Sequence, residues 1–116
     1  MAQKNVLITI NHAPYGNIYY TEGLRAAVGI TSGVDENRVT LVYMGDGAYF
    51  ALKGVDRKDT SKYIGTLEKQ GCKLMVERES MLERGIAEKE IAQDVKVIPR
   101  SDVLKLIQEA DQTIGF

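Results

Sequence analysis

Three residues in this chain have side chains suited to chemistry, and each stands at the end of an apolar or helical run. They are the single histidine His12, the aspartate Asp46 between Gly45 and Gly47, and the single thiol Cys72. His12 could exchange a proton near neutral pH or contact an anion. A loop histidine whose ring nitrogens satisfy nearby backbone explains it equally. Asp46 could orient a ligand, or accept backbone N–H groups and hold its own turn. Together they would make an acid/base pair for a small anionic substrate, if the fold brought them within hydrogen-bond reach. Cys72 could act as a nucleophile only with partial exposure and a positive neighbour. It follows Gly71 and opens an apolar run, where a buried, inert thiol is the default. Arg78 and Arg84, within RESMLER, could present a positive rim to an anion, and a solvated helical turn accounts for them as well. Tyr15 and Tyr49 could line a pocket or a subunit interface, whereas Tyr20, Tyr43 and Tyr63 fit packing between helices and sheet.

The elements that must position these residues are legible from periodicity. Asn5 to Ile10 is an apolar, β-branched run and reads as the first strand. A loop containing Pro14 and Gly16 follows. From Ile18 the residues Tyr20, Leu24, Ala27 and Val28 recur at helical spacing, with Gly23 and Gly29 marking a close approach or a weakened helix. Arg38 to Met44 is the second strand. It stops at Gly45-Asp46-Gly47, and Ala48 to Lys53 reads as a short helical turn. Asp59 or Thr60 caps a helix that faces inward through Tyr63, Ile64 and Leu67 and ends at Gly71. Cys72 to Val76 is the third strand, Ser80 to Arg84 a helical turn stopped by Gly85, and Ala87 to Ala92 another turn. Val95 to Ile98 is the fourth strand. Ser101 caps a helix with Val103, Leu104, Ile107 and Ala110 inward, and Gln112 to Phe116 is a last short strand.

This alternation predicts an α/β fold: a three-layer α/β/α sandwich with a five-stranded, mainly parallel sheet, in one domain spanning 1–116. In open parallel sheets ligands bind beyond the carboxyl ends of the strands. The corners after the first three strands therefore define an expected rim of Asn11, His12, Tyr15, Gly16, Gly45, Asp46, Gly47, Tyr49, Arg78 and Arg84.

Composition narrows the function classes. The chain has 116 residues, 44% apolar and 27% charged, with a net charge of −1 spread along its length, so it shows no electrostatic footprint for nucleic acid. No run approaches the ~18 apolar residues of a membrane span. The opening MAQKNVLITIN enters a strand almost at once, and one cysteine cannot form an internal disulfide, so a cytoplasmic chain is expected. There is no GxxxxGK[ST], and GDGAYF carries Phe50 where a dinucleotide fingerprint needs its third glycine. One histidine and one cysteine are too few soft ligands for a structural zinc site. No cofactor and no metal are expected.

HAPYG at 12–16, EGLR at 22–25, MGDGAYFALKG at 44–54 and Arg84-Gly85, in this order and spacing, resemble the DsrE/DsrF/TusC sulfur-relay family over nearly the whole chain. The resemblance implies the same three-layer fold and small cytoplasmic proteins that associate as trimers or hexamers, often from paralogous subunits. It also implies that some members carry persulfide sulfur on a cysteine just after the third strand, a few residues before Arg-Gly. Here that stretch, Glu77 to Glu83, holds no cysteine, and Cys72 lies before it. The expectation is an oligomer-forming subunit, either of identical chains or with paralogous DsrE-like partners, that carries no sulfur itself. Two other readings stay open: a sulfurtransferase using Cys72, and an acid/base enzyme using His12 and Asp46. Apolar corner residues Tyr15, Tyr49 and Phe50, expected to be exposed, would also gain from a partner.

Overall fold

Parallel strands alternate with helices through the computed structural model, which describes residues 4–12, 19–31, 38–53, 61–69 and 71–116. The strands are β1 (Asn5–Ile10), β2 (Arg38–Tyr43), β3 (Lys73–Glu77), β4 (Lys96–Ile98) and β5 (Gln112–Gly115). The helices are α1 (Tyr19–Thr31), α2 (Ser61–Lys69), α3 (Arg78–Glu83) and α4 (Arg100–Glu109). Two 3₁₀ segments, Gly45–Ala51 and Glu88–Glu90, complete the described elements. The five strands form one sheet in the order β4-β3-β2-β1-β5, and every neighbouring pair is parallel. This is the sheet expected from the alternation of elements.

Successive side chains on a strand point to opposite faces, so a strand covered on both sides reads as a continuous apolar run. β1 does: Val6 through Ile10 are all buried. One face (Val6, Ile8, Ile10, Val39, Leu41, Tyr43, Leu74, Val76) packs against Leu24 and Ala27 of α1, Ile64 and Leu67 of α2, and Ala48, Phe50 and Ala51 of the first 3₁₀ segment. The other (Leu7, Val42, Met75, Ile98) packs against Val103, Leu106 and Ala110 on and just after α4.

Close approach explains Gly23, where a Cβ would collide with Cδ1 of Ile10 and lie 3.3 Å from the Phe116 ring. Gly29 has open space around it and is only a soft point in α1. Gly71 and Gly85 stop α2 and α3 with φ of +78° and +70°.

The structure corrects several local expectations. The helical turn after β2 begins at Gly45 itself and ends at Ala51, so the glycine pair is the start of the 3₁₀ segment and not a corner ahead of it. Phe50 is buried, its ring 6.3 Å from that of Tyr43, and Tyr49 packs against the same core. The folding-back of the 3₁₀ segment onto the sheet covers both. Between Ala87 and Ala92 only Glu88–Glu90 is helical, because Leu52 and Ile91 pair as an antiparallel bridge that fixes the chain on either side. On α4, Leu104 and Ile107 are 54% and 38% exposed. The buried stripe is Val103, Leu106 and Ala110, and their immediate neighbours in sequence are rotated about 100° out of it. Ser101 is not the cap; Pro99 occupies the N-cap position and makes no side-chain cap bond. Asp59 and Thr60 lie outside the described residues.

Candidate functional site

The carboxyl ends of β1, β2 and β3 lie side by side, since Ile10 pairs with Tyr43 and Tyr43 with Val76. The backbone continues this alignment past the strands: the Met44 N–H donates to the Ile10 carbonyl at 2.9 Å, and the Gly47 N–H to the Met44 carbonyl at 2.8 Å. Gly47 rests directly on the Ile10 peptide, where a Cβ would collide with the carbonyl oxygen and lie 2.6 Å from its carbon. The Asn11 N–H reaches the Phe116 carbonyl at 2.7 Å, and Asn11 Nδ2 donates to Thr9 Oγ1 at 2.9 Å.

A polar chain ties the second corner to the third. Ser80 Oγ accepts the Gly45 N–H at 2.9 Å and donates to Glu77 Oε1 at 2.6 Å. The same carboxylate oxygen takes Nη2 of Arg100 at 2.9 Å. Glu77 is 2% and Ser80 3% exposed, so the bond between them is interior, while those from Gly45 and Arg100 are half-buried. Glu77 Oε2 is buried and makes no hydrogen bond, a state that ordinarily costs ~1–3 kcal/mol. Nearer the surface, Asp46 Oδ1 accepts from Nε of Arg84 at 3.0 Å and lies 2.9 Å from Nη2 of the same guanidinium as an ion pair, and Nη1 donates to the Ser80 carbonyl at 3.0 Å. Arg78 pairs with Glu88 at 3.4 Å.

α4 is held to the same rim from outside its own sequence. The Arg100 N–H, in the first turn of α4, donates to Glu79 Oε1 at 2.9 Å, which gives the helix start a partner that Ser101 was expected to supply. That N–H, with the charges of Arg100 and Arg78, lowers the Glu79 pKa below its ordinary value. A folded-state pKa below the unfolded one stabilises the protein above the ordinary glutamate range. The gain disappears as pH falls through the lowered value. The variant Glu79→Gln is therefore expected to unfold more easily than the parent near neutral pH, with the difference closing below about pH 4. Thermal unfolding of both proteins across pH 2.5 to about 7 measures this.

Of the residues singled out from sequence, Asn11, His12, Gly45, Asp46, Gly47, Tyr49, Arg78 and Arg84 all fall in the segments that follow β1, β2 and β3. Tyr15 and Gly16 lie outside the described residues. Asp46 is tied to Arg84, 38 residues away, and the turn at Gly45 is anchored by Ser80. Cys72 is elsewhere. It precedes β3, at the end of the sheet opposite the rim, is 8% exposed, and its thiol makes one weak contact, 3.8 Å to the Lys73 carbonyl. Burial pushes its pKa up to about 12, which leaves almost no thiolate at neutral pH. Among the described residues no group of three or more His, Cys, Asp or Glu side chains could hold a metal ion.

Sequence reasoning missed Glu77, Ser80 and Arg100. The signal for Glu77 was a carboxylate closing the apolar run LMV; Arg100 carried none, because its partner is 23 residues away.

The sequence profile of the DsrE/DsrF-like family matches residues 4–116. The chain belongs to that family. Among curated DsrE-type relatives, the protein TusC homolog of Vibrio parahaemolyticus serotype O3:K6 is 24% identical over 110 residues, covering 90% of this chain and 92% of that one. Among solved structures, the ychN protein of E. coli superposes with a TM-score of 0.81 at 20% identity, covering all of both chains. MTH1491 of Methanobacterium thermoautotrophicum gives 0.80 at 12% identity, over 98% of this chain and all of that one. At these identities the two structures speak for the DsrE-like fold alone. No helix among the described residues is long and apolar enough to cross a membrane.

Proposed function

We propose that this chain is a sulfur-relay subunit that carries no sulfur itself. It assembles in the cytoplasm as a trimer or hexamer, or with paralogous DsrE-like subunits, and uses its rim to complete a partner's thiol site or to hold a small ligand. The observation that carries this reading is the location of the only thiol. Sulfur transfer through a cysteine needs an exposed, ionisable sulfur, and Cys72 is buried, raised in pKa and at the far end of β3. The stretch where sulfur-carrying relatives are expected to hold their cysteine is filled here by Glu77 to Glu83, whose buried polar members, Glu77 and Ser80, hydrogen-bond to each other and whose Met81 packs in the core. Family membership and the TusC homolog supply the sulfur-relay setting. Leu82, 59% exposed on α3 beside the rim, gives a partner apolar surface to cover.

The test is native mass spectrometry after brief exposure to iodoacetamide at neutral pH, with an unfolded control. The expected result is an unlabelled assembly of three or six chains, and full labelling of Cys72 only after unfolding. Rapid labelling of the native protein would overturn the reading and return Cys72 to the role of sulfur carrier.

A further inference from the structure

The end of the sheet opposite the rim carries a cavity of about 320 Å³, at the lower limit for a small-molecule pocket, between the first residues of β1, β2 and β3 and the last turn of α4. Its geometry follows from strand register. Thr40 pairs with both Leu7 and Lys73, and Arg38 lies two residues before Thr40. Alternation therefore places Arg38, Thr40 and Lys73 on one face, the face of Leu7 and Met75. α4 is the only described helix packed on that face, and its buried stripe lies against it, which leaves the start of β2 and β3 open as the floor of a groove. Leu106 and Ala110 make the apolar wall. Arg38 and Lys73 both line the groove, both are exposed, and no described carboxylate pairs with either. Glu109 stands on the α4 side of the same groove, so two cations and one anion leave it with a net charge of +1.

We infer that this groove binds a small organic anion with one negative head and an apolar tail. The head lies between Arg38 and Lys73, with the Thr40 hydroxyl in reach, and the tail lies along Leu106 and Ala110. Two cations with no carboxylate partner among the described residues, beside apolar surface, favour a ligand that satisfies both at once. Glu109 disfavours heads of higher charge. The site is independent of the rim and of the sulfur-relay reading.

The experiment is a titration of ¹⁵N-labelled protein with hexanoate, followed by amide shifts, beside parallel titrations with acetate and with hexan-1-ol. Hexanoate is expected to move the amides of Arg38, Thr40, Lys73 and Ala110 along one saturating curve. Acetate and hexan-1-ol, each offering half of the ligand, are expected to bind at least about tenfold more weakly. The double variant R38Q/K73Q is expected to lose about tenfold in affinity, and E109Q to gain about twofold; the amide spectra themselves show that both variants fold. Saturating shifts at other positions, hexan-1-ol binding as well as hexanoate, or unchanged affinity in both variants would overturn the assignment.

Discussion

Gly47→Ala is expected to lose about 3 kcal/mol or more of stability, a fall in Tm of roughly 10–15 °C for a domain of this size. The obstacle to the added methyl group is the Ile10 peptide, at the end of β1, a strand paired on both sides. No rotamer change relieves that collision, because the struck atoms are backbone. That backbone is also committed: the Ile10 carbonyl already accepts the Met44 N–H that seats the 3₁₀ segment on β1. Making room means lifting Gly45–Ala51, which would expose Ala48, Phe50 and Ala51 and stretch the Gly45–Ser80 and Asp46–Arg84 bonds. Gly45→Ala is the internal control. Its φ of +52° costs an alanine about 1 kcal/mol, but the nearest atoms are 3.8 Å away, so only the smaller loss is expected. Thermal and urea unfolding of both variants measures the contrast. Equal, small losses would show that the segment can shift outward freely.

Arg100→Ala is expected to destabilise the fold several-fold more than the loss of an ordinary surface ion pair does. The asymmetry in burial is the reason. Arg100 is half exposed, and its charge can return to water when the pair breaks. Glu77 is 2% exposed and cannot. Removing the guanidinium leaves the carboxylate with a single hydrogen bond, from Ser80, and Oε2 already has none. Most of the penalty should disappear when the stranded charge is removed as well. The double variant Arg100→Ala/Glu77→Gln is therefore expected to be more stable than Arg100→Ala alone, which a four-protein cycle of urea unfolding reads directly. A simple sum of the two single losses would mean that the pair contributes nothing as a pair.

The frame of the molecule was legible because apolar periodicity reports burial. Runs such as NVLITI and RVTLVY are buried on both faces, and only strands of a covered parallel sheet need that. Helix ends marked by glycine at φ above +60° were equally readable, as at Gly71 and Gly85. What escaped were choices made by distant partners. Leu104 and Val103 are adjacent and both apolar, and which of them faces the sheet depends on how α4 is laid down. The start of α4 has a usable serine, yet Glu79 from another element takes the Arg100 N–H. At the rim, the residues that follow each strand could be placed from the alternation alone. The chain Gly45–Ser80–Glu77–Arg100 joins residues 3 to 35 positions apart, and no local spacing encodes it.

The strand order has a kinetic consequence. β1 pairs on one side with β2, the next strand in sequence, and on the other with β5, which follows every other element. The bond from the Asn5 N–H to Asp111 Oδ2 closes a separation of 106 residues. Contacts of that range form late, because the entropy of closing so long a loop must be overcome first. Until then the most apolar strand of the sheet is an edge strand, with a row of unpaired N–H and C=O groups facing outward. β5 is short and comes last in the element order, and an edge left open until it arrives is the ordinary setting for domain exchange. During folding at high concentration, relative encounter rates decide whether β1 meets its own β5 or a neighbour's.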